Sequence, residues 1–549
     1  MAALNMNQNF VFAEGGTGGR ILIGLRHVLD SLALAEGGGT RNWKTIYETM
    51  DAAGSEIEEL GRLEKLNREL KDFRKADCSY TFLDLSKYVK TRMPENTNVC
   101  LREIAPEWYH NGLIFTREEL ERDLSGGYYR DMVLYNAVAP IAMECALRSP
   151  EDKEAGFQAV ADSVINANHQ YEVRAVFAGN GGGGEGRGNL SRHPAELKEL
   201  CVKRATEELH LSLEQAEAYV EQNLKIAVVM VGSVFRFPAS EELDQDVAGL
   251  VAGTMRNYPE DASRAVNLFY ILEHDCCPVQ AEQPSLSGCQ FKHAHAIELV
   301  AAAAIEDFFS RDRERVSKRS CPVYPHYSMP GRGLTNWANL GLPETWRIAL
   351  SARLRFDAAL FYWAAPQLLV SEKERTEGML YESEILRAMV GVKNARQAEE
   401  KILGSEFSLD AEIIRPMKAL MERETLFLRY LSDICQTGKN WETGAAPAPG
   451  CGTELFELSR IRQMLEDPVI SRCGGMTGFQ FDELTRCPEN HSTGKTEENL
   501  FYTKLTMDRL RKNVVRSCRG SEKEKPFNEV LFQIYDLCSD RKEAKTWRF

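Results

Sequence analysis

The chain has 549 residues, 43% apolar and 27% charged, with a formal net charge of −14 at pH 7. Its length exceeds one ordinary core, so two or three domains are expected. The acidic balance argues against a dedicated nucleic-acid binder, and the lack of an apolar run of about 18 residues argues against a transmembrane helix. The amino terminus, MAALNMNQNF, has neither a basic nor an apolar signal region. None of the 14 cysteines forms a C-x-x-C pair. They read as reduced, mostly buried thiols of a cytoplasmic protein.

In chain order, NFVFA (9–13) is a short run of strand formers ended by glycines. The segment 20–36 then places Leu22, Leu25, Val28, Leu29 and Leu32 at helical spacing. YTFLDL (80–85) predicts a strand, and 128–147 an apolar helix broken or kinked at Pro140. EVRAVFA (172–178) predicts the next strand, and 191–222 one long helix or two shorter ones. KIAVVMVG (225–232) and AVNLFYILE (265–273) have the continuous apolar character of strands buried on both faces. The segment 293–309, rich in alanine, predicts a central helix. Strands alternating with helices imply an α/β fold with a parallel sheet. From about residue 343 the pattern turns helical, a Gly/Pro/Ala-rich stretch at 436–454 marks a boundary, and the tail from Thr503 carries 12 Lys/Arg against 7 Asp/Glu. The division that follows is 1–310, 311–440 and 441–549.

Two glycine segments each follow a predicted strand and open a predicted helix. The first offers Gly15, Gly16, Thr17 and Gly18, with Arg20 just beyond; the second offers Gly182, Gly183, Gly184, Glu185, Gly186, Arg187 and Gly188. This context suits phosphate, because uncovered backbone N–H groups and the positive end of a helix dipole point outward. Neither segment is a Walker A loop. STGKT (492–496) has G-K-T, but Glu489 stands where the first glycine belongs. Gly16 and Gly18 begin a G-x-G-x-x-G pattern that fails at Ile21, which keeps a Rossmann-type NAD(P) site open as an alternative.

The order of these segments resembles the tubulin/FtsZ superfamily, and within it a divergent set of bacterial tubulin-like proteins. EGGTGGR is similar to that family's first nucleotide loop. Gly182 to Gly188 keeps the five glycines of its G-G-G-T-G-[ST]-G loop, with Glu185 and Arg187 at the two hydroxyl positions. FKHAHAIELVAAAAIEDFF resembles its central helix. MPGRGLTNWANLGLP (329–343) resembles the loop that reaches a neighbouring subunit's nucleotide; Asn336 matches, but the catalytic acid position is Ala338 and the next acid is Glu344. The strand end that meets guanine in the family carries His274 and Asp275 here. The resemblance implies a GTP- or GDP-binding protein, with Mg²⁺, that self-associates head to tail and hydrolyses slowly or not at all.

The departures carry chemistry. A carboxylate about 4 Å from a phosphate repels it by roughly 4 kcal/mol per charge pair at an effective dielectric near 20. Glu185 must therefore turn away or hold Mg²⁺, whereas Arg187 and Arg20 suit phosphate oxygens. A nucleotide-free interaction scaffold on the same fold is the alternative that Glu185 favours. His274, Cys276, Cys277, His293 and His295 lack the spacing of a zinc knuckle. RLRKNVVRSCRG (509–520) reads as a solvated helix face.

Overall fold

The computed structural model describes residues 8–36, 43–49, 55–70, 73–76, 78–90, 100, 115–122, 132–149, 152, 156–167, 170–181, 183–232, 235–236, 265–273, 279–280, 293–312, 316, 326–328, 337–439, 444–446, 455–466, 481, 484, 506–519 and 527–539. In chain order the strands are β1 (Gln8–Glu14), β2 (Trp43–Thr49), β3 (Cys78–Asp84), β4 (Val173–Asn180), β5 (Leu224–Val231), β6 (Phe235–Arg236), β7 (Leu268–Glu273), β8 (Val279–Gln280) and β9 (His326–Ser328). Seven of them form one sheet in the order β3-β2-β1-β4-β5-β7-β9, with every neighbouring pair parallel. The α/β expectation with a parallel sheet therefore holds. The remaining two, β6 and β8, pair with each other.

The apolar runs expected as strands became β1, β4, β5 and β7, and YTFLDL lies largely in β3. β2, WKTIYET, was not anticipated. Its Lys, Glu and threonines hide a strand that is buried at every position but Lys44. Threonine and the aromatics favour the pleated backbone even where mean polarity is high.

Alternation along the strands divides the core in two. Phe10, Phe12, Ile46, Ala175, Phe177, Val228 and Met230 face one side. There they meet the helices Met132–Arg148 (α3 here), Phe157–Ala167 (α4), Gly184–Glu208 (α5) and Leu213–Asn223 (α6). Val11, Ala13, Val176, Ala178, Val229 and Val231 face the other side. That side meets Gly15–Glu36 (α1) and the central helix Ala296–Ser310 (α7). Glu344–Ala359 (α8) and Arg415–Ile434 (α9) extend the same apolar cluster, so helices from the second half of the chain pack onto α1. Ser55–Glu69 (α2), also unanticipated, lies on this side and contacts α1 and α9.

Two local expectations changed. The helix α3 runs unbroken through Pro140; Val138, Ala139, Ala142 and Met143 bury around it, and that packing offsets the missing backbone donor. The segment 191–222 resolves into two helices, α5 and α6, with Ser212 capping the second through a capping box. No helix among the described residues is long and apolar enough to cross a membrane. Cys78, Cys100, Cys145, Cys201, Cys435 and Cys538 are in no disulfide, and all but Cys145 are buried.

Candidate functional site

The sheet order reverses between β1 and β4. In parallel sheets such a switch point opens a crevice at the carboxyl ends of the strands. Glu14 ends β1 and lies in register with Glu48 on β2. Alternation puts Glu14 in line with Phe10 and Phe12, and Glu48 in line with Ile46, so both carboxyls enter the apolar side covered by α5. They are 1% and 0% exposed.

The α5 helix brings His193 to them. Its Nδ1 lies 3.0 Å from Glu14 Oε1 and 3.7 Å from Glu48 Oε1. Phe157 and Phe177 flank the imidazole at ring-centroid distances of 5.2 and 6.2 Å. Asn189, one helical turn earlier on the same face, donates from Nδ2 to Glu14 Oε2 at 2.6 Å. Tyr135 of α3 donates in turn to Asn189 Oδ1 at 2.7 Å. Neither oxygen of Glu48 accepts a hydrogen bond. Burial, and then the Glu14 carboxylate, push the Glu48 carboxyl up to about 8. Burial opposes protonation of His193, yet Glu14 and Glu48 more than offset it and raise its pKa. The result is a fully buried cluster of two carboxyls and one imidazole, with no thiolate from the described residues.

Both glycine segments come to the same crevice, but not as loops. The helix α1 begins at Gly15 and α5 at Gly184, so Gly16, Thr17 and Gly18 and then Gly186 lie within first turns, and Gly188 starts the second turn of α5. Close packing accounts for two of them. A Cβ on Gly18 would sit 2.6 Å from the Ala13 carbonyl carbon and 2.8 Å from Ala178 O. One on Gly186 would sit 2.7 Å from Asn180 O. Both helices thus touch strand backbone where no side chain fits. Gly15 takes a φ of 65°. Gly16 is exposed, and Gly183 is the N-cap of α5. Gly182 lies outside the described residues.

Glu185 joins the two segments. It sits in the first turn of α5, accepts from Thr49 Oγ1 at 3.0 Å, and brings Oε2 within 3.2 Å of the Cβ position of Gly15. Its carboxylate therefore stands where both helix starts meet, the place an anionic ligand would seek.

The arginines separate. Arg20 is buried and donates from Nε to Glu298 Oε1 at 2.9 Å, on the far side of α1. Burial opposes its charge, but Glu298, Glu59 and Glu56 raise its pKa. Glu298 also accepts from His295 N–H, and His295 Nδ1 accepts from Ile297 N–H, so both cap the central helix. His293 pairs with Asp433 at 3.1 Å. A cleft of about 450 Å³ opens at this helix head, lined among others by Arg20, Glu59, Arg62, Arg429 and Asp433 and by none of the glycines. Arg187 is partly buried on α5, which lowers its pKa, and its Nε donates no hydrogen bond.

Of the remaining candidates, His274, Asp275 and Asn336 lie outside the described residues, as does the 492–496 segment. Ala338 belongs to a short helix, Trp337–Leu340. Glu344 opens α8 and pairs with Arg347. The residues that sequence reading missed are Glu14, Glu48, Thr49, Asn189, His193 and Tyr135. One signal was available: an acid closing an apolar strand, as in NFVFAE, sits at the ligand edge of a parallel sheet. Compared with known protein families, curated proteins and solved structures, the chain matches none.

Proposed function

We propose that the chain is a tubulin/FtsZ-like nucleotide-binding protein whose phosphate site lies at the crevice between β1 and β4. The observation that carries this reading is the convergence there of two glycine-started helices, α1 and α5. Helix starts attract phosphate through their open N–H groups and dipoles. The central helix α7 following β7 is the second feature in its favour. Guanine rather than adenine, and head-to-tail assembly, rest on the sequence resemblance alone.

Glu185 sets a condition on this site. Its carboxylate already faces Gly15 and Thr49, so phosphate enters only if Glu185 swings out or a divalent cation bridges the two charges. Nucleotide affinity should therefore depend on Mg²⁺, and Glu185→Gln should weaken that dependence. Titrating labelled GTP, GDP and ATP with and without Mg²⁺ tests both points. No binding of any of them at millimolar concentration overturns the reading. Sedimentation with and without GTP tests assembly, and phosphate release tests slow turnover.

The position of Glu185 equally favours a second reading, a nucleotide-free interaction scaffold in which this carboxylate substitutes for phosphate. Nucleotide that copurifies with the chain would exclude it.

A further inference from the structure

We propose that Glu14, Glu48 and His193 bind one divalent transition-metal cation, of the Zn²⁺, Mn²⁺ or Fe²⁺ class, inside the fold. This goes beyond the nucleotide reading and does not rest on it.

The first ground is geometry. Ligand atoms tetrahedral about a metal at about 2.1 Å are separated by about 3.4 Å. Here the imidazole Nδ1 stands 3.0 and 3.7 Å from its two carboxylate neighbours, and the three donor atoms lie within 4.8 Å of one another. The two Nδ1 separations depart from that spacing by a few tenths of an ångström. The strand ends and the flanking rings of Phe157 and Phe177 already hold the ligands in place.

The second ground is independent of spacing. Glu48 is 0% exposed, its two oxygens accept no hydrogen bond, and it is directed at the same point. Buried carboxyls are normally paired or bound to metal. Glu14 is differently placed: Asn189 holds its outer oxygen, and Tyr135 holds Asn189. That chain of bonds orients a ligand in the way metal sites commonly do.

The donor set selects the class. One imidazole and two carboxylates suit Zn²⁺, Mn²⁺ or Fe²⁺. A donor set without thiolate among the described residues disfavours Cu⁺. The closed, fully buried setting disfavours Mg²⁺, which retains several waters.

The test uses the full chain, stripped with chelator and free of nucleotide, dialysed against Zn²⁺, Mn²⁺, anaerobic Fe²⁺ or Mg²⁺. Bound metal is counted by mass spectrometry, and the thermal midpoint is followed. We expect about one equivalent of a transition metal, with a raised midpoint. Glu48→Gln and His193→Gln should lose both the metal and the metal-dependent shift. Asn189→Ala should retain the site with affinity weakened about 10- to 100-fold. Glu48→Gln removes a buried charge and keeps the shape, so its metal-free midpoint shows whether it folds. Wild-type protein that folds but takes up no stoichiometric transition metal overturns the proposal. So does a Glu48→Gln protein that binds metal as tightly as wild type, or a midpoint shift produced by Mg²⁺ alone.

Discussion

Among the buried ionisable side chains of the described residues, two groups on opposite sides of the sheet differ in their balance of charge. On the central-helix side, Glu424 of α9 accepts from Arg353 Nε at 2.7 Å and from Arg423 Nε at 2.8 Å. Arg353 also donates to His27 O at 3.0 Å and lies 3.9 Å over the Phe427 ring. Arg26 of α1 donates to Cys78 O, and Asp30 accepts from Ala76 N–H. Three guanidiniums, Arg26, Arg353 and Arg423, stand among three carboxyls, Asp30, Asp357 and Glu424, and the group ties α1, α8 and α9 together. Asp357, like Glu48, accepts no hydrogen bond. On the α5 side, Glu14 and Glu48 share a single imidazole, and Glu48 accepts nothing. The comparison shows that burial alone does not mark a site: the balanced group is architecture, and the one short of positive charge is a candidate for a cation.

Substitutions break that comparison most directly where the charges are matched. Glu424→Gln strands two buried guanidiniums and should cost about 3–5 kcal/mol, measured by denaturant unfolding. A loss below about 1 kcal/mol would mean that the network contributes little. Gly18→Ala should cost about 1–3 kcal/mol, because its methyl meets Ala13 and Ala178 backbone that cannot yield. Glu48→Gln should act in the other direction. In chelator-treated protein at pH 8 it should stabilise by about 1–2 kcal/mol, since a buried charge without hydrogen bonds is removed. Destabilisation under those conditions would show that the Glu48 charge is satisfied.

His27 and Glu424 on one side and Glu48 on the other should also answer pH with opposite signs, each by at most about 1.4 kcal/mol per pH unit for one proton. The Asp357 carboxyl, which burial and then Glu424 raise, shares the sign of Glu48. Burial, then Arg353, hold His27 down to about 3, against an ordinary 6.5. Burial opposes the Glu424 charge, but Arg353 and Arg423 hold its carboxyl down to about 2, against 4.5. Depressed values give stability that is complete above the ordinary pKa and is lost as pH falls: from 6.5 towards 3 for His27 and from 4.5 towards 2 for Glu424. Glu48 is raised from 4.5 to about 8. Its contribution is complete below 4.5 and is lost as pH rises through that window. Metal-free wild type should therefore lose more stability than Glu48→Gln between these values. Parallel unfolding curves would refute the raised Glu48 pKa. The smallest effect is at Gly16, which is exposed with only Glu56 Oε1 near its Cβ position, at 3.8 Å. Gly16→Ala should change stability by less than about 0.5 kcal/mol, so any loss of nucleotide affinity in it reports on binding alone.

Much of the sheet was legible because its strands are continuous apolar runs. β5, LKIAVVMV, is buried at every position, and its composition leaves few alternatives. β2 was not legible, because lysine, threonine and glutamate dilute its apolar signal. The glycine segments were legible as positions that follow a strand and open a helix, but which of the glycines serve close packing was not. A glycine that opens a loop and one that lets a helix touch a strand look alike in a sequence. Gly18 and Gly186 belong to the second kind through the positions of Ala13, Ala178 and Asn180.

The amino-acid sequence by itself determined the alternation of strand and helix, the central helix and the convergence of interest on two glycine segments. These are local properties, written in apolar periodicity and in the conformational freedom of glycine. Tertiary structure alone decided that Glu14 and Glu48 stand side by side, that Glu185 faces Gly15, and that Arg20 turns away to Glu298. Strand register and the docking of α5 set those neighbours. Register is a contest between whole segments for burial, and it leaves no mark at any single position in the chain.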